Sequence, residues 1–171
     1  MNKVITGFMA TGKTEISKAL CTLLGYSRID TDDEIVKEAG MSINDIFAKF
    51  GEEHFRKLEK EIAKRAAKSD KTVISTGGGL VLDKNNVDIL REGGVVVNLD
   101  ADFSVIEARV QRAAATRPLL QNNSMEQIKE RFEYRKPFYA NCDCKIEISN
   151  KKSPKDHAQM IVEELKKNNF I

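Results

Sequence analysis

The chain has little cysteine and little histidine, and it has no long apolar run. Cysteine occurs only at Cys21, Cys142 and Cys144. An odd count does not suit a disulfide framework, and the expectation is a reduced, cytoplasmic protein. Cys142-Asp143-Cys144 resembles half of a metal site, but no second Cys or His pair lies nearby, and closed zinc sites take about four ligands. His54 and His157 are the only histidines, so a histidine-dependent triad has no support. No apolar stretch approaches the ~20 residues of a membrane span. The N-terminus lacks a basic region followed by an apolar one, so neither a signal peptide nor a leading fused segment is expected. Charge is nearly balanced at 28 basic against 26 acidic residues, net +2, with no basic block. That gives no support for a nucleic-acid or membrane surface. Internal repeats, low-complexity tracts and linkers are also missing.

What remains is the composition of one globular domain: 171 residues, 41% hydrophobic and 32% charged, enough to bury a core. Lys3 to Thr6 reads as a short strand leading into glycines. Ile16, Ala19, Leu20, Leu23 and Leu24 have helical spacing, stopped by Gly25. Tyr26 to Ile29 is a second strand, ending in the acidic run Asp30 to Glu34. Ile35, Val36 and Ala39 predict a helix closed by Gly40. Ser42 can cap the next one, over Ile43, Ile46, Phe47 and Phe50, which Gly51 breaks. Phe55, Leu58, Ile62 and Ala66 mark a longer helix. Lys71 to Ser75 is a strand running into Thr76-Gly77-Gly78-Gly79. Val87 and Leu90 predict a short helix before Gly93-Gly94, and Val95 to Leu99 a buried strand. A helix bearing Val105, Ile106 and Arg109 follows. Ala113 to Asn123 has no clear periodicity and reads as a mobile loop. Ser124 with Gln127 is a capping box for a helix expected to end near Pro137. Lys145 to Ile148 is the last strand. Ser153-Pro154 opens a final helix with Ala158, Ile161, Val162 and Leu165 inward. Strands alternating with helices predict a parallel sheet covered on both faces. Ligands then bind at the C-terminal strand ends, where the glycines and acidic residues fall.

Gly7 to Thr14, "GFMATGKT", matches G-x-x-x-x-G-K-[ST]. Such glycines turn backbone N–H groups inward around phosphates, and the following helix adds its N-terminal partial charge. Ala10, Thr11, Gly12, Lys13, Thr14 and Glu15 are the expected nucleotide contacts. Lys13 can bridge β- and γ-phosphates, and Thr14 is placed to ligate Mg²⁺. A GTPase would carry N-K-x-D; Asn150-Lys151-Lys152-Ser153 has serine in the last place. A remodelling ATPase usually ends its third strand in an acidic residue, whereas here Ser75-Thr76 and glycines stand there.

Taken in order and spacing, "GFMATGKT", "DTDDEI", "FRKLE", "TGGG", "RPLL" and "YRKPFY" resemble the motifs of shikimate kinases. These belong to the nucleoside monophosphate kinase-like branch of P-loop proteins. The resemblance covers about residues 4–165. It implies an α/β, three-layer P-loop fold with a five-stranded parallel sheet in the order 2-3-1-4-5. It also implies one kinase domain over 1–171, with a mobile lid near 112–124 and a substrate-binding region near 31–61. The implied activity is transfer of the γ-phosphoryl group of ATP, with Mg²⁺, to the 3-hydroxyl of shikimate. That serves chorismate and aromatic amino-acid biosynthesis. The expected protein is a cytoplasmic monomer with no nucleic-acid or membrane partner.

The resemblance also distributes roles. Arg56 and Arg135 match arginines that hold the shikimate carboxylate, and guanidinium suits a bidentate grip on one. Glu59, three residues after Arg56, can pair with it and matches a residue near the substrate. Asp32 matches the aspartate that contacts shikimate hydroxyls and is the candidate to accept the proton. Asp30 matches a carboxylate that approaches Mg²⁺. An acidic run also suits a helix N-terminus, a reading that fits Asp33 and Glu34 better than Asp30 at the strand end. Gly78 and Gly79 match glycines that touch shikimate. Arg117 matches the lid arginine that closes over the phosphates. Arg109, with Arg112 as rival, resembles an arginine that stacks on adenine. Pro154 matches the residue on the base's other face, and Lys152 a position that contacts ATP. Leu80 is bulkier than the alanine or serine often found there, with room to adjust the pocket. The alternatives are a kinase for another small acid or polyol such as gluconate, and a nucleotide-sensing module without turnover.

Overall fold

The structure, a computed structural model, describes residues 1–114 and 124–171. Five strands form one parallel sheet: β1 (Asn2–Gly7), β2 (Ser27–Asp30), β3 (Thr72–Ser75), β4 (Gly94–Asp100) and β5 (Cys144–Glu147). Their order is β2-β3-β1-β4-β5. β1 is central, with Val4 opposite Ile74 of β3 and Val96 of β4. It is buried along its whole length, as in sheets covered on both faces, with Val4 and Ile5 apolar and Asn2, Lys3 and Thr6 buried beside them. The helices are α1 (Lys13–Leu24), α2 (Thr31–Ala39), α3 (Ile43–Ala67), α4 (Lys84–Glu92), α5 (Phe103–Ala114), α6 (Met125–Tyr139) and α7 (Pro154–Lys167). They flank the sheet, α1 against α7 and α3 against α4, which completes three layers. Among the described residues no helix is long and apolar enough to cross a membrane.

Local chemistry explains most boundaries. Ser124 and Ser153 form full capping boxes with Gln127 and Asp156, and Pro154 takes the first turn of α7. Gly51 sits inside α3 at φ 82°, ψ 173°, a region essentially reserved for glycine. It kinks the helix and separates the half bearing Phe47 from the half bearing Arg56. α6 ends at Tyr139, two residues past Pro137, near where a proline that removes a backbone bond and crowds the preceding turn is expected to stop it. A 3-10 turn, Leu80–Leu82, follows the glycines and has no periodicity that a sequence could display.

Two apolar clusters hold the molecule. The larger spans the sheet and includes Val4, Ile74, Val96, Leu20, Ile161 and Leu80. Leu80 is therefore a core residue, and its bulk is absorbed away from the ligand cavity. The smaller joins Ile35, Ile46, Phe55 and Ile62, from α2 and α3 alone. The cysteines are free. Burial pushes the Cys144 thiol up to about 11, which leaves it protonated and a poor metal ligand. Among the described residues no group of His, Cys, Asp and Glu is set to hold a metal unaided.

Candidate active site

β1 delivers the glycine loop to the C-terminal edge of the sheet. Ala10 (φ 63°) and Gly12 (φ 90°) both take the left-handed conformation there. Thr11 Oγ1 donates to the Phe8 carbonyl at 2.7 Å and stiffens the turn. Lys13 Nζ folds back to donate to the Gly7 and Phe8 carbonyls at 2.7 and 3.0 Å. Burial lowers its pKa to about 8, against the opposing pull of Asp32 and Asp30. The N-caps of α2, α3, α4, α6 and α7 each offer a side-chain oxygen to their first turn, and α1 has none. Its leading amides stay open to an anion.

A cavity of about 420 Å³ opens beside this loop. It gathers Lys13, Thr14, Asp30, Asp32, Arg56, Glu59, Gly78, Gly79 and Arg135, all singled out in the sequence. Each glycine of the triplet abuts one charged side chain. A methyl group at Gly77 would strike the Asp32 carboxylate; at Gly79 it would lie 2.5 Å from Arg56 Nη1, and at Gly78 3.6 Å from Arg135 Nη1. The Gly77 amide donates to Thr31 Oγ1 at 2.9 Å, which ties the turn to α2.

Arg56 is gripped from its own helix. Nη1 donates to Glu59 Oε1 at 3.0 Å and Nη2 to Glu52 Oε1 at 3.3 Å. Glu59 is 1% exposed. Burial raises its pKa to about 7, against the pull of Arg56. The Asp32 pKa is raised too, by burial first and by Asp30 second.

Asp30 differs from the sequence reading. It is the N-cap of α2: Oδ1 accepts from the Asp32 and Asp33 amides at 3.1 and 3.3 Å. Oδ2 faces Arg28 Nη1 at 3.4 Å. The residue just before a helix is where a short carboxylate caps best, so the strand end and the cap coincide. The remaining lone pairs of Asp30 and the Thr14 hydroxyl offer hard oxygens beside the open amides of α1, which suit phosphate. That chemistry fits Mg²⁺ arriving with phosphates.

The other expected nucleotide contacts lie around the loop. Arg109 donates to the Ala10 carbonyl at 3.0 Å and to Asn150 Oδ1 at 2.7 Å, bridging the loop to the β5–α7 connection. Lys152 lies exposed on that connection, and Pro154 lies exposed at the start of α7. Arg112 is exposed and turned back on its own helix. The Glu15 side chain is exposed and paired with Lys18, so only its backbone is left to serve a phosphate. Arg117 lies outside the described residues.

The cavity also holds Met9, Ile43, Phe47, Phe55, Gly77 and Arg131, which the sequence reading did not single out. Arg131 stands one turn before Arg135, and that i, i+4 spacing was the available sign. Phe47 and Phe55 read as ordinary helix core, and they do pack together, 4.8 Å between ring centres. A second hollow of about 370 Å³ lies behind Phe8 and Tyr139, against Cys142 and Cys144.

A phosphate loop at the edge of a 2-3-1-4-5 sheet, facing a cavity with three guanidinium groups and a buried carboxylate, defines a P-loop kinase for a small acceptor. Comparison with known proteins narrows the class. The chain belongs to the shikimate kinase family, whose model matches residues 9–166. It is 45% identical over 151 residues to the shikimate kinase of Caldanaerobacter subterraneus, 88% of each chain. It is 40% identical to that of Thermodesulfovibrio yellowstonii, over 95% of this chain and 94% of the other. Among solved structures, the Aquifex aeolicus shikimate kinase superposes with a TM-score of 0.84 at 32% identity, covering 99% of both chains. The Acinetobacter baumannii shikimate kinase in complex with shikimate gives 0.86 at 32%, covering 98% of this chain and 93% of that one.

Proposed function

We propose that this protein transfers the γ-phosphoryl group of ATP to the 3-hydroxyl of shikimate, giving shikimate 3-phosphate and ADP. The observation that carries this reading is the meeting of Arg56, Arg135 and Asp32 in one cavity with Lys13. Shikimate offers one carboxylate and three hydroxyls. Arg56 and Arg135 bind the carboxylate, and Asp32 accepts the proton of the attacking hydroxyl. Glu59 holds Arg56 in place, while Gly78 and Gly79 let the backbone approach the ring. Gluconate lacks a ring to lie against that glycine platform.

On the nucleotide side, Ala10 to Glu15 cradle the phosphates through their amides, and Lys13 shifts from its two carbonyls to phosphate oxygens, which are stronger acceptors. Mg²⁺ would be held by the Thr14 hydroxyl and, through water, by Asp30; bound there it neutralises charge on the phosphates. Arg109, Lys152 and Pro154 frame the base. Arg117, by its place in "RPLL", supplies charge to the transferring group. The chain is one kinase domain, in which residues 31–61 form the acceptor side.

Phosphoryl transfer asks the protein for placement and charge more than for covalent chemistry. The test is ADP release with ATP and Mg²⁺, with shikimate present or absent, and gluconate as control. Release that requires shikimate is the expected result. A folded, ATP-binding protein that releases no ADP with shikimate overturns the reading.

A further inference from the structure

Tyr139 closes the "YRKPFY" segment and has no part in the mechanism above. It is 6% exposed. Its hydroxyl donates to the Gly78 carbonyl. A methyl group at Gly78 would lie 3.6 Å from Arg135 Nη1 and 3.8 Å from the Tyr139 hydroxyl. The Arg135 guanidinium, the Tyr139 hydroxyl and the centre of the glycine triplet therefore meet at one point. Arg56 is aimed by two carboxylates, Glu59 and Glu52. Arg135 instead sits against the turn that Tyr139 holds. The ring does something else: it stands edge-on to Phe8 of the phosphate loop, centroids 6.4 Å apart at 80°.

We propose that Tyr139 is a positioning residue for the acceptor. Its hydroxyl holds the Gly77–Gly79 turn in place beside the Arg135 guanidinium, so that carboxylate and reacting hydroxyl are presented together. The proposal rests on the acceptor reading given above. A buried carbonyl that loses its hydrogen-bond donor is costly, so the Tyr139 hydroxyl fixes where the Gly78 carbonyl lies. Burial also raises the Tyr139 pKa, which keeps the phenol proton in place for donation. The two halves of the residue thus serve different ligands, the hydroxyl the acceptor and the ring the phosphate loop.

The test compares Y139F with Y139L. Y139F keeps the ring and is expected to raise the KM for shikimate about tenfold, the scale of one buried hydrogen bond. Its KM for ATP stays within about twofold of the wild type. Y139L removes the ring as well and raises both. Hydrogen exchange of the unliganded protein gives a readout independent of any acceptor. Amides of residues 78–80 exchange about tenfold faster in Y139F than in the wild type, with α1 and α7 unchanged. Equal effects of Y139F on the two substrates, or unaltered exchange at the turn, overturn the proposal. A wild type that ignores shikimate sinks the acceptor assignment, and the exchange experiment then still decides whether the clamp exists.

Discussion

Asp32 Oδ1 and Glu59 Oε2 are buried and have no hydrogen-bond partner among the described residues. Unpaired buried oxygens of this kind are costly unless a ligand completes them. On the proposed reading, the group that completes Asp32 is the acceptor hydroxyl. Asp32→Asn is expected to leave ATP binding near normal and to lower turnover on the order of a hundred- to ten-thousandfold. Nucleotide titration beside an ADP-release assay checks this, and full activity would remove Asp32 from the mechanism. Glu59 gives a pH prediction. Its folded pKa, about 7, lies above the ordinary 4.5. A raised carboxyl pKa means that the folded state holds the proton more tightly, so its stabilising contribution is complete at low pH and is lost as pH rises through 7. Asp32 acts in the same direction. Glu59→Gln should therefore show a smaller fall in urea midpoint between about pH 5 and pH 8 than the wild type. An equal fall in both would mean that Glu59 is charged throughout. Single residues were legible in the sequence when a motif named them. Gly77 and Tyr139 were not, because their meaning lies in what they touch across the fold.

At the scale of elements, caps and breakers were readable and coverage was not. Ser124, Ser153 and Gly51 act on their own neighbours, so their effect is written locally. Leu23 and Phe50 read as inward-facing, yet they are 39% and 54% exposed. Periodicity gives the direction of a helix face but not how far a neighbour extends over it. The kink in α3 is a case where geometry decides. A side chain at Gly51 meets no atom within 4 Å, yet φ there is +82°. Gly51→Ala should cost about 1–3 kcal/mol from backbone strain alone, measured by denaturant unfolding. Gly79→Ala is the opposite case, with the added methyl 2.5 Å from the flexible end of Arg56. Arg56 moves rather than the backbone. The expected result is a raised shikimate requirement with little change in unfolding midpoint, and a large loss of stability would contradict it.

Across the whole molecule, the acceptor cavity is assembled from distant stretches of chain: Asp32 on α2, Arg56 and Glu59 on α3, the glycines after β3 and Arg135 on α6. The strand order could be anticipated through family resemblance, whereas which side chains converge is settled only when the sheet closes. On the proposed reading Arg135 binds the acceptor, so Arg135→Ala should raise the KM for shikimate far more than that for ATP in steady-state kinetics. Equal effects would place it elsewhere. The small apolar cluster of Ile35, Ile46, Phe55 and Ile62 is separate from the cluster that packs the sheet. Phe55, next to Arg56, packs in the smaller cluster, while Ala63 and Ala66 anchor the far end of α3 in the larger one. Substitutions in Ile35, Ile46 and Phe55 can therefore reshape the end of the molecule that carries Arg56 while the sheet and its phosphate loop keep their own packing.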